Sequence, residues 1–204
     1  FNDLGHATYT VNHKGEKVAK VELSIPGMHN VYNSLSAFAL ATCYGVDTDA
    51  IVKGIKNFTG TDRRFQFKGQ FNGVNVIDDY AHHPTEIQAT INSARGTKLN
   101  KLWIMFQPHT YTRTYNHLDD FAKVLSEADH VILLDIYASR EKDTGLVSSK
   151  DLRDKIEALG GVVTYCPTFN DAEKYAVDNC RKGDMLITMG AGDVYKIGEK
   201  LVRQ

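Results

Sequence analysis

From Phe65 onward the sequence repeats one grammar, and that repetition limits the folds open to the chain. Short runs that are almost wholly apolar stand at about 74–78, 102–106, 131–135, 162–166 and 185–189. Between them lie amphipathic stretches at about 84–95, 116–127, 148–159, 170–181 and 193–202. A strand with no polar face has no side to turn to water, so its sheet must be covered on both faces. Strands separated by helix-length segments pair in parallel through crossovers.

The helical stretches carry their own punctuation. Pro84 suits a first helical turn. Leu118, Phe121, Ala122 and Leu125 make one apolar face, and Leu152, Ile156 and Leu159 make another behind a Ser148/Ser149 cap. Asn170 followed by Glu173 reads as a capping box. Asn72-Gly73 predicts a hairpin turn ahead of the first parallel strand. The expected fold of residues 63–204 is therefore an α/β, Rossmann-like, mostly parallel sheet with helices on both faces and one antiparallel strand.

Residues 1–62 follow a different pattern. "HATYTVNHKGEKVAKVELSI" alternates around a turn at Asn12-His13-Lys14-Gly15 and predicts a hairpin. Val31, Leu35, Phe38, Ala39 and Thr42 then keep helical spacing up to Gly45, and Asp47 caps a second helix ending near Asn57. This segment reads as a separate α/β unit. The chain opens at Phe1 inside a strand-like stretch, as a piece of something longer would.

Composition excludes more than it identifies. Of 204 residues, 42% are hydrophobic and 24% charged, with a net charge of -1. No bulk positive field recruits nucleic acid or anionic lipid, and no apolar run has the length of a membrane span. Cys43, Cys166 and Cys180 are sparse, odd in number and lack C-x-x-C spacing, which fits a reducing cytoplasm.

In an open parallel sheet, ligands bind beyond the carboxyl ends of the strands. Asp78, Asp79, Tyr80, His82 and His83 leave the first parallel strand; Gln107, Pro108, His109 and Arg113 leave the second. Asp135, Tyr137, Arg140, Glu141 and Lys142 leave the third, and Gly190, Gly192 and Asp193 the last. The turns of the opposite edge, "GTKLNK" and "SEADH", hold no comparable set of His, Arg and aromatic residues. The asymmetry points to a polar site on one rim. Asp78 reads equally as a structural acid or a ligand, Asp193 as a helix cap, and one of His82 and His83 as structural. His29, His82, His83 and His109 lack H-x-x-x-H or cysteine spacing, so no metal site is expected from them. No G-x-S-x-G elbow follows any strand, which removes a serine hydrolase.

"PGMHNVYN", "DRRF", "DDYAHHPTEI", "FQPHTYTRT" and "MGAGD", in that order across the whole chain, resemble the C-terminal part of the Mur ligase family. The resemblance implies residues 1–62 as the tail of a central ATP-binding domain and 63–204 as the C-terminal domain. It implies a cytoplasmic, ATP-dependent ligase of peptidoglycan precursor synthesis that joins L-alanine to UDP-N-acetylmuramate through an acyl phosphate. Residue by residue, it places His29, Asn30 and Asn33 near adenine, Arg64 on ATP and Asp79 on the ribose hydroxyls. Tyr80, His82, His83, His109 and Arg113 would line the amino-acid pocket, with Arg64 and His82 nearest the chemistry. Some members carry arginine where this chain has Thr110, which would leave Arg113 more of the work.

The family's G-T-x-G-K-[ST] phosphate loop, most of its Mg²⁺ ligands and its UDP-binding domain have no counterpart in these residues, so the chain alone is expected to be inactive. A homodimer is compatible with this reading. Two alternatives stand beside it: the branch that attaches a ready-made tripeptide to the same UDP-sugar, and a non-catalytic binding or dimerisation module.

Overall fold

The computed structural model describes residues 1–203 and divides into two compact units, Phe1–Thr61 with Asn92–Lys98, and the remainder from Asp62.

The first unit is built on a hairpin of β1 (His6–His13) and β2 (Glu16–Pro26), followed by α1 (Met28–Cys43) and α2 (Thr48–Asn57). Its core gathers Ala7, Val11, Ala19, Val21 and Leu23 from the hairpin with Phe38 and Ile51 from the helices. Asp47 caps α2 as expected, its carboxylate accepting from the backbone N–H groups of Asp49 and Ala50.

The second unit carries a six-stranded sheet: β3 (Gln66–Phe71), β4 (Val74–Asp79), β5 (Leu102–Phe106), β6 (His130–Leu133), β7 (Val163–Tyr165) and β8 (Met185–Met189). The spatial order is β3-β4-β8-β5-β6-β7, with β3 antiparallel to β4 and every other pair parallel. The expected mostly parallel α/β fold with one antiparallel strand is the fold observed. Asn72 and Gly73 make the β3–β4 turn, both at positive φ, 49° and 78°, as a two-residue hairpin loop of this hand requires.

The helices are α3 (Pro84–Arg95), α4 (Tyr111–Asn116), α5 (Leu118–Leu125), α6 (Ser149–Ala158), α7 (Phe169–Asn179) and α8 (Tyr195–Leu201). The chain steps outward from β5 through β6 to β7, then returns to insert β8 between β4 and β5. That reversal places helices on both faces, because every crossover keeps the same hand. One face packs Val74, Val76, Trp103, Met105, Ile132 and Leu186 against Ala172, Ala176, Ile197 and Leu201 of α7 and α8. Alternation along the strands turns Ile77, Ile104, Phe106, Leu133 and Ile187, all buried, to the other face. There Phe106 meets Phe121 of α5 with ring centroids 5.6 Å apart.

Two local expectations are corrected. The helix read over 116–127 is two helices broken at His117, whose φ of -119° and ψ of 23° are not helical. The cap of α7 is Thr168, not Asn170: its hydroxyl accepts from Asp171 N–H and donates to the Asp171 carboxylate. Glu173 pairs instead with Lys200 at 2.6 Å. The Ser148 cap of α6 forms, with the Asp151 carboxylate accepting from the Ser148 N–H and hydroxyl.

The amino-terminal edge of the sheet is polar but closed. Trp103 donates its indole N–H to buried Asp184 at 2.9 Å and stacks on His130 at 4.4 Å. His130 in turn lies 3.0 Å from the Thr164 hydroxyl. Burial, with help from the Lys101 charge, holds the His130 imidazole below its ordinary pKa. The folded chain thus binds fewer protons here than the unfolded chain does just below pH 6.5, the ordinary imidazole value. Stability contributed by neutral His130 is complete above that pH and is lost as pH falls from there through the folded pKa. Replacing His130 by Gln should make the unfolding free energy fall less steeply between about pH 7 and pH 5, as measured by denaturant titration at each pH.

Candidate active-site rim

The strand-to-helix elbow after β4 places its two acids on opposite faces of the sheet, as alternation demands. Asp78, 1% exposed, accepts from Arg63 Nε at 2.9 Å and from the Thr188 hydroxyl at 2.8 Å. Arg63 also donates to the Gly190 carbonyl at 2.6 Å. Its guanidinium lies 4.9 Å from the Tyr80 ring centre and 4.6 Å from that of Tyr195. Asp78 is therefore structural, and Arg63 is the residue that the sequence reading passed over.

Asp79, 5% exposed, accepts Phe65 N–H at 2.8 Å on one oxygen and Ala81 N–H at 2.7 Å on the other. Burial raises its pKa, and those backbone donors oppose the rise. Its oxygens each hold a backbone donor, and it shapes the elbow from beneath. Each oxygen keeps a further lone pair beyond these bonds.

Together these acids fix the segment that carries Arg64. Arg63 and Phe65 flank it at φ 58° and 46°, a left-handed region costly for such side chains. Tyr80 N–H donates to the Arg63 carbonyl at 2.7 Å, and Arg63 N–H to Gln66 Oε1 at 3.1 Å. Arg64 itself is left outward: its side chain is 56% exposed, and the nearest carboxylate oxygen, on Glu86, is 4.0 Å away.

Glu86, in the first turn of α3, accepts from the backbone N–H groups of both His82 and His83, at 3.0 and 3.2 Å. The two imidazoles then diverge as expected. His83 pairs Nδ1 with the Thr85 hydroxyl and sets its ring edge-on to His117. His82 places Nδ1 2.9 Å from the Tyr80 carbonyl and 3.5 Å from Glu86. Both neighbours are acceptors, so Nδ1 carries the proton and a neutral ring keeps its lone pair on Nε2.

The rim continues from His82 to the loop after β5. Tyr80, His82, His109 and Tyr137 form a row of rings with successive centroids 5.3, 5.8 and 5.7 Å apart. Arg113 closes the far end, with Nη1 3.0 Å from His109 Nδ1. Burial first, then the charge of Arg113, lowers the His109 pKa, against a smaller opposite pull from Glu141. Thr110 starts α4 at φ 65° and ψ 144° and accepts Arg113 N–H on its hydroxyl over a long 3.4 Å. A β-branched residue in that region stores about 1–3 kcal/mol of strain.

The "GAG" turn serves packing. A Cβ on Gly190, φ 143°, would sit 2.6 Å from the Gln107 carbonyl oxygen. The side chain of Gln107 accepts Asp193 N–H at 3.1 Å. Asp193 is not a helix cap but pairs with Lys196 at 3.0 Å.

In the first unit, His29, Asn30 and Asn33 sit on the first turns of α1. Asn30 donates its side-chain amide to the Pro26 carbonyl at 2.7 Å and accepts from the Asn33 amide at 3.2 Å. His29 and Asn33 are exposed, and Asn30 is half-buried. Among the described residues no group of three or more His, Cys, Asp or Glu is placed to hold a metal ion. No helix among them is long and apolar enough to cross a membrane.

The family model described as "Mur ligase, glutamate ligase domain" matches residues 63–192, and the chain belongs to the Mur ligase family. Over 203 residues it is 53% identical to a UDP-N-acetylmuramate–L-alanine ligase of Lachnospira eligens, and over 203 residues 45% identical to one of Acetivibrio thermocellus. Those alignments take in 100% of this chain but 44% and 43% of the relatives, so the chain spans under half their length. Among solved structures it resembles the UDP-N-acetylmuramate–alanine ligase of Thermotoga maritima, with TM-score 0.82, 28% identity, and coverage of 98% of this chain and 43% of that one. A murein peptide ligase of Psychrobacter arcticus is similar at TM-score 0.66 and 28% identity, covering 98% and 42%.

The two neighbouring arginines should separate cleanly. Arg63→Ala leaves Asp78 buried without its cation and should cost about 3–5 kcal/mol of unfolding free energy. Arg64→Ala should stay within about 0.5 kcal/mol of wild type. Urea unfolding of both variants reads the difference.

Proposed function

We propose that this chain is the C-terminal part of an ATP-dependent ligase joining L-alanine to UDP-N-acetylmuramate. The observation that carries the reading is the row of four rings with an exposed arginine, Arg64, at one end and Arg113 at the other. Identity above 40% over the whole chain to ligases of that name supports the choice of substrate.

In this reading the γ-phosphoryl group of ATP passes to the lactyl carboxylate of the sugar nucleotide. The alanine amine then attacks the acyl carbon, and the tetrahedral intermediate expels phosphate. Arg64, exposed beside Tyr80, meets the phosphate charge. Arg113 binds the alanine carboxylate: Nη1 is held by His109, while Nε and Nη2 have no hydrogen-bond partner among the described residues and form a two-donor edge. His82 directs its Nε2 lone pair at the alanine ammonium and takes the proton that must leave before attack. Tyr80 and His83 complete the walls. Asn33, with His29 and Asn30, offers an amide to adenine, because an amide donates and accepts at once.

Magnesium would neutralise phosphate charge in such a reaction, and no group of three or more His, Cys, Asp or Glu among the described residues is placed to hold it. The tripeptide-adding branch is the second reading, favoured by the likeness to the murein peptide ligase of Psychrobacter arcticus, at a lower TM-score than the alanine ligase.

Phosphate release by the full protein with ATP, UDP-N-acetylmuramate and L-alanine tests the proposal. Arg113→Ala should raise the KM for alanine by about 10- to 100-fold, the weight of a charged hydrogen-bonded contact, with a smaller change in kcat. Release that requires a tripeptide in place of alanine would move the protein to the recycling branch. Release with neither would leave a binding module.

A further inference from the structure

Arg113 is not free to choose its orientation. A guanidinium has only donors, so the 3.0 Å contact with His109 requires a lone pair on Nδ1 and places the imidazole proton on Nε2. The His109 ring is held in turn by stacking on Tyr137, 5.7 Å between centroids with the planes 21° apart. The backbone fixes the same loop: Thr110 N–H donates to the Tyr137 carbonyl at 2.9 Å, and Tyr137 N–H to that of Pro108 at 2.8 Å. The imidazole is thus clamped in place and in tautomer before any ligand arrives.

We infer that His109 is a positioning residue whose neutral imidazole aims the free edge of Arg113 at the substrate carboxylate, and whose protonation releases that arginine. This rests on the reading of Arg113 as the carboxylate binder. A protonated His109 would turn an N–H toward an N–H and bring two cations within 3 Å, so the contact cannot survive it.

The groups facing His109 agree on the sign. Arg113 on α4 and His82 on the elbow after β4 both oppose a charge on it. Tyr137 stacks against it without charge. Glu141 favours the charge, but its carboxylate is taken up at the start of α4, accepting Thr112 N–H at 2.8 Å. Thr110 completes the arrangement, since its strained backbone sets the first turn from which Arg113 reaches back to a residue four positions earlier.

Two experiments separate this inference from the reading beneath it. In the full protein labelled with ¹⁵N-histidine, His109 should show the Nε2–H tautomer, and Arg113→Met should both raise its pKa and mix its tautomers. A His109 signal protonated on Nδ1, or indifferent to Arg113, overturns the inference whatever the substrate.

In turnover, the KM for alanine should rise as pH falls through the measured His109 pKa, with kcat less affected. His109→Asn places an amide oxygen close to where Nδ1 stood and does not titrate. It should hold KM near wild type and flatten that limb. His109→Ala should raise KM at least about tenfold at every pH, the loss of one hydrogen bond to a charged group. An Asn variant that keeps the pH limb, or an Ala variant with unchanged KM, overturns the inference. Intact spectral coupling without any response to alanine overturns the substrate reading on which it rests.

Discussion

The buried pair between Arg63 and Asp78 is the contact on which the rim depends. Asp78 is the penultimate residue of β4, inside the sheet and 1% exposed, where an unpaired carboxylate would be very costly to desolvate. Arg63 supplies the charge, and the rings of Tyr80 and Tyr195 cover it. Because the same guanidinium also holds the Gly190 carbonyl, it ties the β4 elbow to the β8 turn. The linker before β3 is thereby pinned at Arg63, and the next residue, Arg64, is left with its side chain outside. One arginine is spent on structure so that its neighbour can be presented.

Most of the fold was legible because burial on both faces writes itself into the strands. "LWIMF" and "MLITM" could be little else once amphipathic segments bounded them, and the observed strands match within a residue or two. The failures have local causes. Tyr111–Asn116 buries only Thr114 and so has no apolar period to reveal a helix, while the strong face of Leu118–Leu125 suggested one longer helix across both. At α7 two overlapping cap signatures competed, and Thr168-x-x-Asp171 won. Its hydroxyl bonds both ways with Asp171, whereas Glu173 found a cation on α8.

The rim was legible as a set and less so residue by residue. Strand-end position gave Tyr80, His82, His109 and Arg113, which the structure brings into one row. It could not tell Asp78 from Asp79, or Arg63 from Arg64, because adjacent identical residues differ only in which face of the strand or turn they occupy. The pleat assigned Asp78 to the Arg63 side and Asp79 to the side of α3, where Asp78 accepts from a guanidinium and Asp79 from two backbone N–H groups. Glu86 was missed, and Tyr137 was read only as one rim residue among several, for another reason. A glutamate in a first helical turn and a tyrosine in a loop are commonplace, and only coordinates reveal that one orders two histidine backbones while the other stacks on an imidazole.

The rim also follows an electrostatic logic. Cations stand at its ends and aromatic rings between them, which suits anions that must be held apart while their reacting groups meet. A further positive charge in the middle would draw phosphate or carboxylate toward the row itself and away from the arginines. Keeping His109 neutral prevents that, and burial beside Arg113 is the means. The same neutrality gives His109 the lone pair that fixes Arg113. Charge at the ends and its absence between them are therefore one arrangement, set by a single 3.0 Å contact.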